Sequence, residues 1–138
     1  MEVDDAGFEA ALAQIDAWSA EGERQVALAQ SLQQSLGSLS ATAWSPGREV
    51  RVTVDHGGQL SDIVFEDRAM ATAPAALGRI VTTTIQRALA ALQVQVIEVA
   101  RATAGEGSPM ALSVENEYRT SFERSLAALG EQRDIPRA

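Results

Sequence analysis

The chain has no cysteine and no lysine, a single histidine, and aromatic side chains at only 4% of its positions. Without cysteine, disulfide frameworks and thiolate metal sites are excluded, and a reducing compartment is compatible with the composition. Without lysine, Gly57-Gly58 is no phosphate-binding loop, because both the Gly-x-x-x-x-Gly-Lys spacing and the ammonium group are missing. Few aromatics leave little bulk for a large single-chain core, so a core shared between subunits is favoured. Runs of about 18 apolar residues, as a bilayer span needs, are also wanting. The opening Met1-Glu2-Val3-Asp4-Asp5 carries the wrong charge for a signal peptide, and no apolar segment follows it. The expectation is a soluble, cytoplasmic protein.

What is present is ordinary globular composition, with 46% apolar and 22% charged residues over 138 positions, enough for one domain and an appended tail. The net charge of −8 is uneven. Positions 1–43 carry seven acids against Arg24, positions 44–104 balance six acids with six arginines, and positions 105–138 carry six acids and four arginines.

Along the chain, Phe8, Leu12, Ile15, Trp18, Val26, Ala29, Leu32 and Leu36 recur at three- and four-residue spacing, which predicts a long helix over 8–36 closed by Gly37 as a left-handed cap. Ser19, Gly22 and Gln33 weaken any strict heptad in it. The period then becomes two. Leu39, Ala41 and Ala43 alternate with Ser38, Ser40 and Thr42 as a weak strand, and Ser45-Pro46-Gly47 is a turn signal. Val50, Val52 and Val54 alternate with Arg51, Thr53 and Asp55 as the clearest strand. His56-Gly57-Gly58-Gln59 supplies the next turn, and Leu60–Glu66 is a third strand with Ile63 and Phe65 facing the core.

Asp67–Ala73 reads as a connection, with Thr72 a candidate cap and Pro74 in the first turn of a second long helix reaching about Ala104. Its apolar stripe is Leu77, Ile80, Val81, Ile85, Ala88, Leu92, Val96 and Val99. Gly105-Glu106-Gly107-Ser108-Pro109 breaks it, Val114–Leu129 is a last amphipathic helix, and Asp134-Ile135-Pro136-Arg137 reads as a frayed terminus. The fold expected is α+β: long helix, three-stranded antiparallel meander, long helix and short C-terminal helix. The expected domain is 1–104, with 105–138 as linker and helical extension.

The stretch Ser45-Pro46-Gly47-Arg48-Glu49-Val50-Arg51-Val52-Thr53-Val54-Asp55 resembles the signature of the YbaB/EbfC family, in which a small glycine-ended turn leads into Val-basic-Val-Thr-Val. Leu60-Ser61-Asp62-Ile63-Val64-Phe65-Glu66-Asp67 is similar to the strand that follows, and Leu77-Gly78-Arg79-Ile80-Val81 to the opening of the last helix. The resemblance covers roughly 8–104 and rests on joint order and spacing. It implies a nucleoid-associated homodimer that binds DNA with weak sequence preference, with helices projecting as arms. Arg51 takes the family's basic strand position. A paralogue accompanying type VII secretion, acting as a protein–protein adaptor or chaperone-like factor without DNA, is the alternative that an acidic, lysine-free member suggests.

Nucleic-acid affinity comes chiefly from neutralised phosphates and released counterions, so the candidate DNA contacts are Arg48, Arg51, Arg68, Arg79 and Arg87. Glu49, Asp55 and Asp62 are the acids that could instead pair with them. The net −8 opposes long-range attraction to DNA, and no basic–aromatic interleaving is present. Candidate core or dimer positions are Leu12, Ile15, Val50, Val52, Val54, Ile63, Phe65, Leu77, Val81 and Ile85. Trp18, Trp44, Tyr118 and Phe122 fit core or dimer packing better than partner anchors. His56 lies in a turn with no second ligand nearby, and Asp55 with Glu66-Asp67 reads as solvated strand ends. An enzyme is not expected, nor a metal, cofactor, small-molecule substrate or membrane partner. A continuous arginine face would favour DNA, whereas an exposed apolar groove would favour a protein client.

Overall fold

The computed structural model describes residues 5–133 of the chain. The elements are α1 (Asp5–Gly37), β1 (Ser40–Trp44), β2 (Val50–Asp55), β3 (Leu60–Phe65), α2 (Asp67–Met70), α3 (Pro74–Ala104) and α4 (Pro109–Arg133). This is the α+β architecture expected, with the last helix beginning earlier than its apolar pattern and a short α2 inside the connection. The expected frayed segment Asp134-Ile135-Pro136-Arg137 lies outside the described residues.

The strands form one antiparallel sheet in the order β1-β2-β3. Register pairs Ala43 with Val52 and Trp44 with Arg51 on one side, and Val50 with Phe65 and Val52 with Ile63 on the other. Directly paired residues share a face, so Ala41, Ala43, Val50, Val52, Val54, Ile63 and Phe65 lie on the inner one. Trp44, Arg51, Thr42, Thr53, Asp62 and Val64 lie on the outer one. There the Thr42 and Thr53 hydroxyls are hydrogen-bonded at 2.9 Å. A bulge between Thr53 and Val54 shifts the β3 register near the second turn.

α3 lies across β1 and β2 and closes the core. Val50, Val52, Val54, Ala88, Leu89, Leu92 and Val96 are buried there, with Leu77, Val81, Ile85 and Ile63 half-buried around them. Alanine on α3 and valine on β2 permit this close approach, and burying such a valine stabilises by about 1.5–3 kcal/mol. Phe65 is on the inner face but remains 45% exposed, because β3 is an edge strand beyond the span of α3. It is therefore not a core residue of the single chain, contrary to the strand-pattern expectation. By length and composition α3 could cross a membrane. Its apolar density has another source here, since it packs against β1, β2, α1 and α4.

The helix ends depart from expectation in two places. Gly37 is the last helical residue without a positive φ, and the exit is tied instead by Leu39 N–H to Leu36 O at 3.1 Å and Ser38 Oγ to Ser35 O at 3.0 Å. Thr72 does not cap α3, whose N-cap is Ala73. The Thr72 hydroxyl donates to Arg68 O of the preceding turn. Pro74 does occupy the first turn of α3.

α1 divides into two parts. Leu32 is buried against Ala100 and Ala111, with Leu36, Val99 and Met110 packed around them, so the C-terminal end of the helix is anchored on α3 and α4. From Asp5 to Ala27 every residue is exposed, and this arm is about 34 Å long at 1.5 Å per residue. Phe8, Leu12, Ile15 and Val26 fall within a narrow stripe on it, all about half exposed. Trp18 stands beside the stripe at 65% exposure. Leu12, Ile15 and Trp18 therefore belong to no core of the single chain.

α4 docks along α3. Val114, Tyr118 and Phe122 pack on the main cluster, and the Tyr118 hydroxyl donates to His56 O at 2.9 Å. Arg101 Nε meets the buried Glu115 carboxylate at 2.9 Å. The C-terminal extension is thus integrated with the body rather than trailing from it.

Candidate nucleic-acid interface

The β1–β2 connection is a built structure. Arg48 N–H donates to Ser45 O at 2.9 Å across Pro46-Gly47, and Ser45 N–H donates to Val50 O at 3.0 Å. The buried Ser45 hydroxyl oxygen accepts the Glu49 and Val50 N–H groups at 2.9 and 3.1 Å and donates to Glu49 Oε2 at 2.5 Å. That hydroxyl holds the Glu49 carboxyl below the usual carboxylate range, helped by the Glu49 backbone N–H and more weakly by Arg68. Gly47 lies close to the Glu49 carboxylate, so a Cβ there would push that side chain aside. The turn leaves Arg48 at φ 58°, the only non-glycine residue with positive φ among those described.

Three of the five candidate arginines converge on this turn. The Arg48 and Arg51 guanidinium carbons lie 5.2 and 5.5 Å from the Trp44 ring centroid. Arg68, carried on α2, donates from Nη1 to Gly47 O at 3.2 Å. Trp44, Arg48, Glu66, Asp67 and Arg68 line an open depression at this end of the sheet. Arg79 and Arg87 are exposed on the side of α3 turned away from its sheet-facing residues. The sheet therefore separates them from Arg51, and the five arginines do not form one face.

None of the five makes an ion pair among the described residues, where the salt bridges are Arg24–Glu21 and Arg101–Glu115. Of the acids named as alternative partners, two are hydrogen-bonded elsewhere, and Asp62 sits on the outer face diagonal to Arg51 without an ion pair to it. Glu49 is tied to Ser45, and Asp55 accepts the Gly57 and Gln59 N–H groups at 2.9 and 3.0 Å, bracing the second turn. Asp62 is exposed on β3. His56 is exposed in that same turn and takes part through its carbonyl oxygen.

Sequence reasoning missed Trp44 as part of this group and Ser45 as its internal brace. The signal was available for Trp44: a hairpin whose loop is the four residues 46–49, between Ser45 and Val50, pairs Trp44 with Arg51. No comparable signal marks Ser45, because serine before proline is common in turns that bury nothing.

No curated protein and no solved structure gives a match to the chain. The sequence profile of the YbaB/EbfC DNA-binding family matches residues 10–107, from within α1 through the end of α3. The arginine-bearing hairpin lies inside that match and α4 beyond it. The chain belongs to the YbaB/EbfC DNA-binding family.

Proposed function

We propose that the chain binds duplex DNA as a homodimer with weak sequence preference, gripping phosphates with Arg48, Arg51 and Arg68 of each protomer. The observation that carries this reading is the convergence on one turn of the sheet of three guanidiniums that make no ion pair among the described residues. Phosphate contacts fix position but carry no sequence information, hence the weak preference. Arg79 and Arg87 lie outside this grip. The acidic balance of the chain is greatest on the α1 arm, where Asp5, Glu9, Asp16, Glu21 and Glu23 stand against Arg24, whereas at the hairpin Glu49, Glu66 and Asp67 stand beside Arg48, Arg51 and Arg68. A nucleoid location in the cytoplasm follows from the same reading.

The homodimer rests on the arm. Phe8, Leu12, Ile15 and Val26 form an exposed stripe that the chain's own body leaves uncovered, and burying such side chains is worth about 1.5–3 kcal/mol each. A second copy presents the same stripe at the same concentration, which favours it as occupant. The stripe also supports a second reading, in which it holds a protein client and the chain is an adaptor.

Binding to a random-sequence duplex, followed by anisotropy at low and near-physiological salt, tests the proposal. Micromolar affinity that falls steeply with salt is expected. Absence of binding at low salt would overturn the DNA reading and turn the question to co-purifying proteins.

A further inference from the structure

We propose that Trp44 is a positioning residue for the DNA grip, holding the Arg48 and Arg51 guanidiniums spread and outward by contact with its ring. This inference rests on the DNA reading above. A guanidinium against an aromatic ring is attracted to the ring quadrupole, and the contact consumes none of its five N–H donors and none of its charge. Pairing with a carboxylate would do the opposite on both counts. Trp44 therefore orders two long side chains while leaving them fully able to take phosphate oxygens.

Backbone geometry supports the assignment. Trp44 and Arg51 are direct cross-strand partners on the outer sheet face. Arg48 enters from the turn at positive φ, which aims it back toward the same ring. Trp44 is half-buried, so the ring is itself held in place. Arg68 is fixed separately, by its bond to Gly47 O, and needs no ring. The cost of ordering an arginine is thus met before DNA arrives, and this preorganisation appears as affinity.

The test is Trp44→Leu, which keeps an apolar side chain of substantial size but removes the ring, alongside Trp44→Phe, which keeps a ring. Trp44→Leu is expected to weaken duplex binding about 4–25-fold per protomer at fixed salt, from two contacts that each contribute a factor of about 2–5. Trp44→Phe should retain most of the affinity. The slope of log affinity against log salt should stay unchanged in both, because the number of phosphate contacts is the same. In the Arg48→Ala/Arg51→Ala background, Trp44→Leu should have no further effect.

A structural role alone would lower affinity equally in that background, and such a result overturns the inference. So does full affinity in Trp44→Leu when the unsubstituted chain binds and the double arginine variant does not. Loss of all salt-dependent binding in the unsubstituted chain overturns the DNA reading itself. A readout independent of DNA is the Nε–H resonances of Arg48 and Arg51, which ring currents displace in the native chain and which should return to ordinary positions in Trp44→Leu. Resonances at ordinary positions in the native chain would remove the contact on which the inference stands.

Discussion

Replacing Arg48 by glycine and, separately, by alanine isolates the backbone strain at the turn from the chemistry of the side chain. Arg48 sits at φ 58°, where an L-residue pays about 1–2 kcal/mol for the approach of its Cβ to the carbonyl oxygen. Glycine does not pay this, but it brings a backbone entropy cost of about 0.5–1 kcal/mol. Either substitution loses the contact with Trp44 at 5.2 Å, worth about 0.5–1 kcal/mol at an exposed site. Arg48→Ala should therefore be destabilised by about 0.5–1 kcal/mol. Arg48→Gly should be within about 0.5 kcal/mol of the native chain, and more stable than Arg48→Ala by about 0.5–1 kcal/mol.

Urea unfolding at matched protein concentration measures that difference as a shift in midpoint at constant slope. In duplex binding the two variants should be equally impaired. In a dimer, each loses two phosphate contacts, so the log–log salt slope should fall by about 1.8. Equal stability of the glycine and alanine variants would refute the strain argument. An unchanged salt slope in both would remove Arg48 from the DNA contact.

Further expectations follow from the same contacts. Leu12→Glu places a charge in the stripe of the α1 arm and should convert the dimer to monomer in sedimentation, while leaving the circular dichroism of the body intact. Arg101→Ala leaves the buried Glu115 carboxylate without its partner at 2.9 Å and should cost about 1–3 kcal/mol, with faster hydrogen exchange in α4. Burial pushes the Tyr118 hydroxyl above its ordinary value of 10.0, helped by Glu117 and Asp55. The folded chain then holds that proton more tightly than the unfolded one, so stability should fall as pH rises above about 10, and Tyr118→Phe should remove this dependence. Glu49 is shifted the other way, below 4.5, so its contribution is present at neutral pH and lost as pH falls through the folded value; Glu49→Gln should flatten the acid limb of the stability profile. Truncation after Gly107 withdraws Val114, Tyr118 and Phe122 from the main cluster and should lower the midpoint and expose dye-binding apolar surface.

The alternation of Val50, Val52 and Val54 and the three-and-four spacing on α1 and α3 determine the elements without help from tertiary contacts, because a period of two or 3.6 is a local property of the chain. The turn at Ser45-Pro46-Gly47 and the basic positions Arg48 and Arg51 are equally local. Which apolar residues become core is not. Phe65 and Ile63 carry the same pattern, yet α3 spans β1 and β2 and leaves Phe65 at the edge, and Leu12 and Leu32 share a helix while only Leu32 reaches the body. Burial depends on what lies across from a side chain, and that is set by how helices cross the sheet.

The same holds for charge. Sequence gives five candidate arginines in the middle of the chain. Only the hairpin register and the placement of α2 bring Arg48, Arg51 and Arg68 to one turn, while α3 carries Arg79 and Arg87 to the other side of the sheet. Whether the C-terminal segment docks was likewise undecided by its own amphipathic pattern, which is compatible with any apolar partner. The buried Glu115 facing Arg101 and the Tyr118 hydroxyl reaching His56 O decide it, through groups far apart in the chain that meet only once α3 and the second turn are in place.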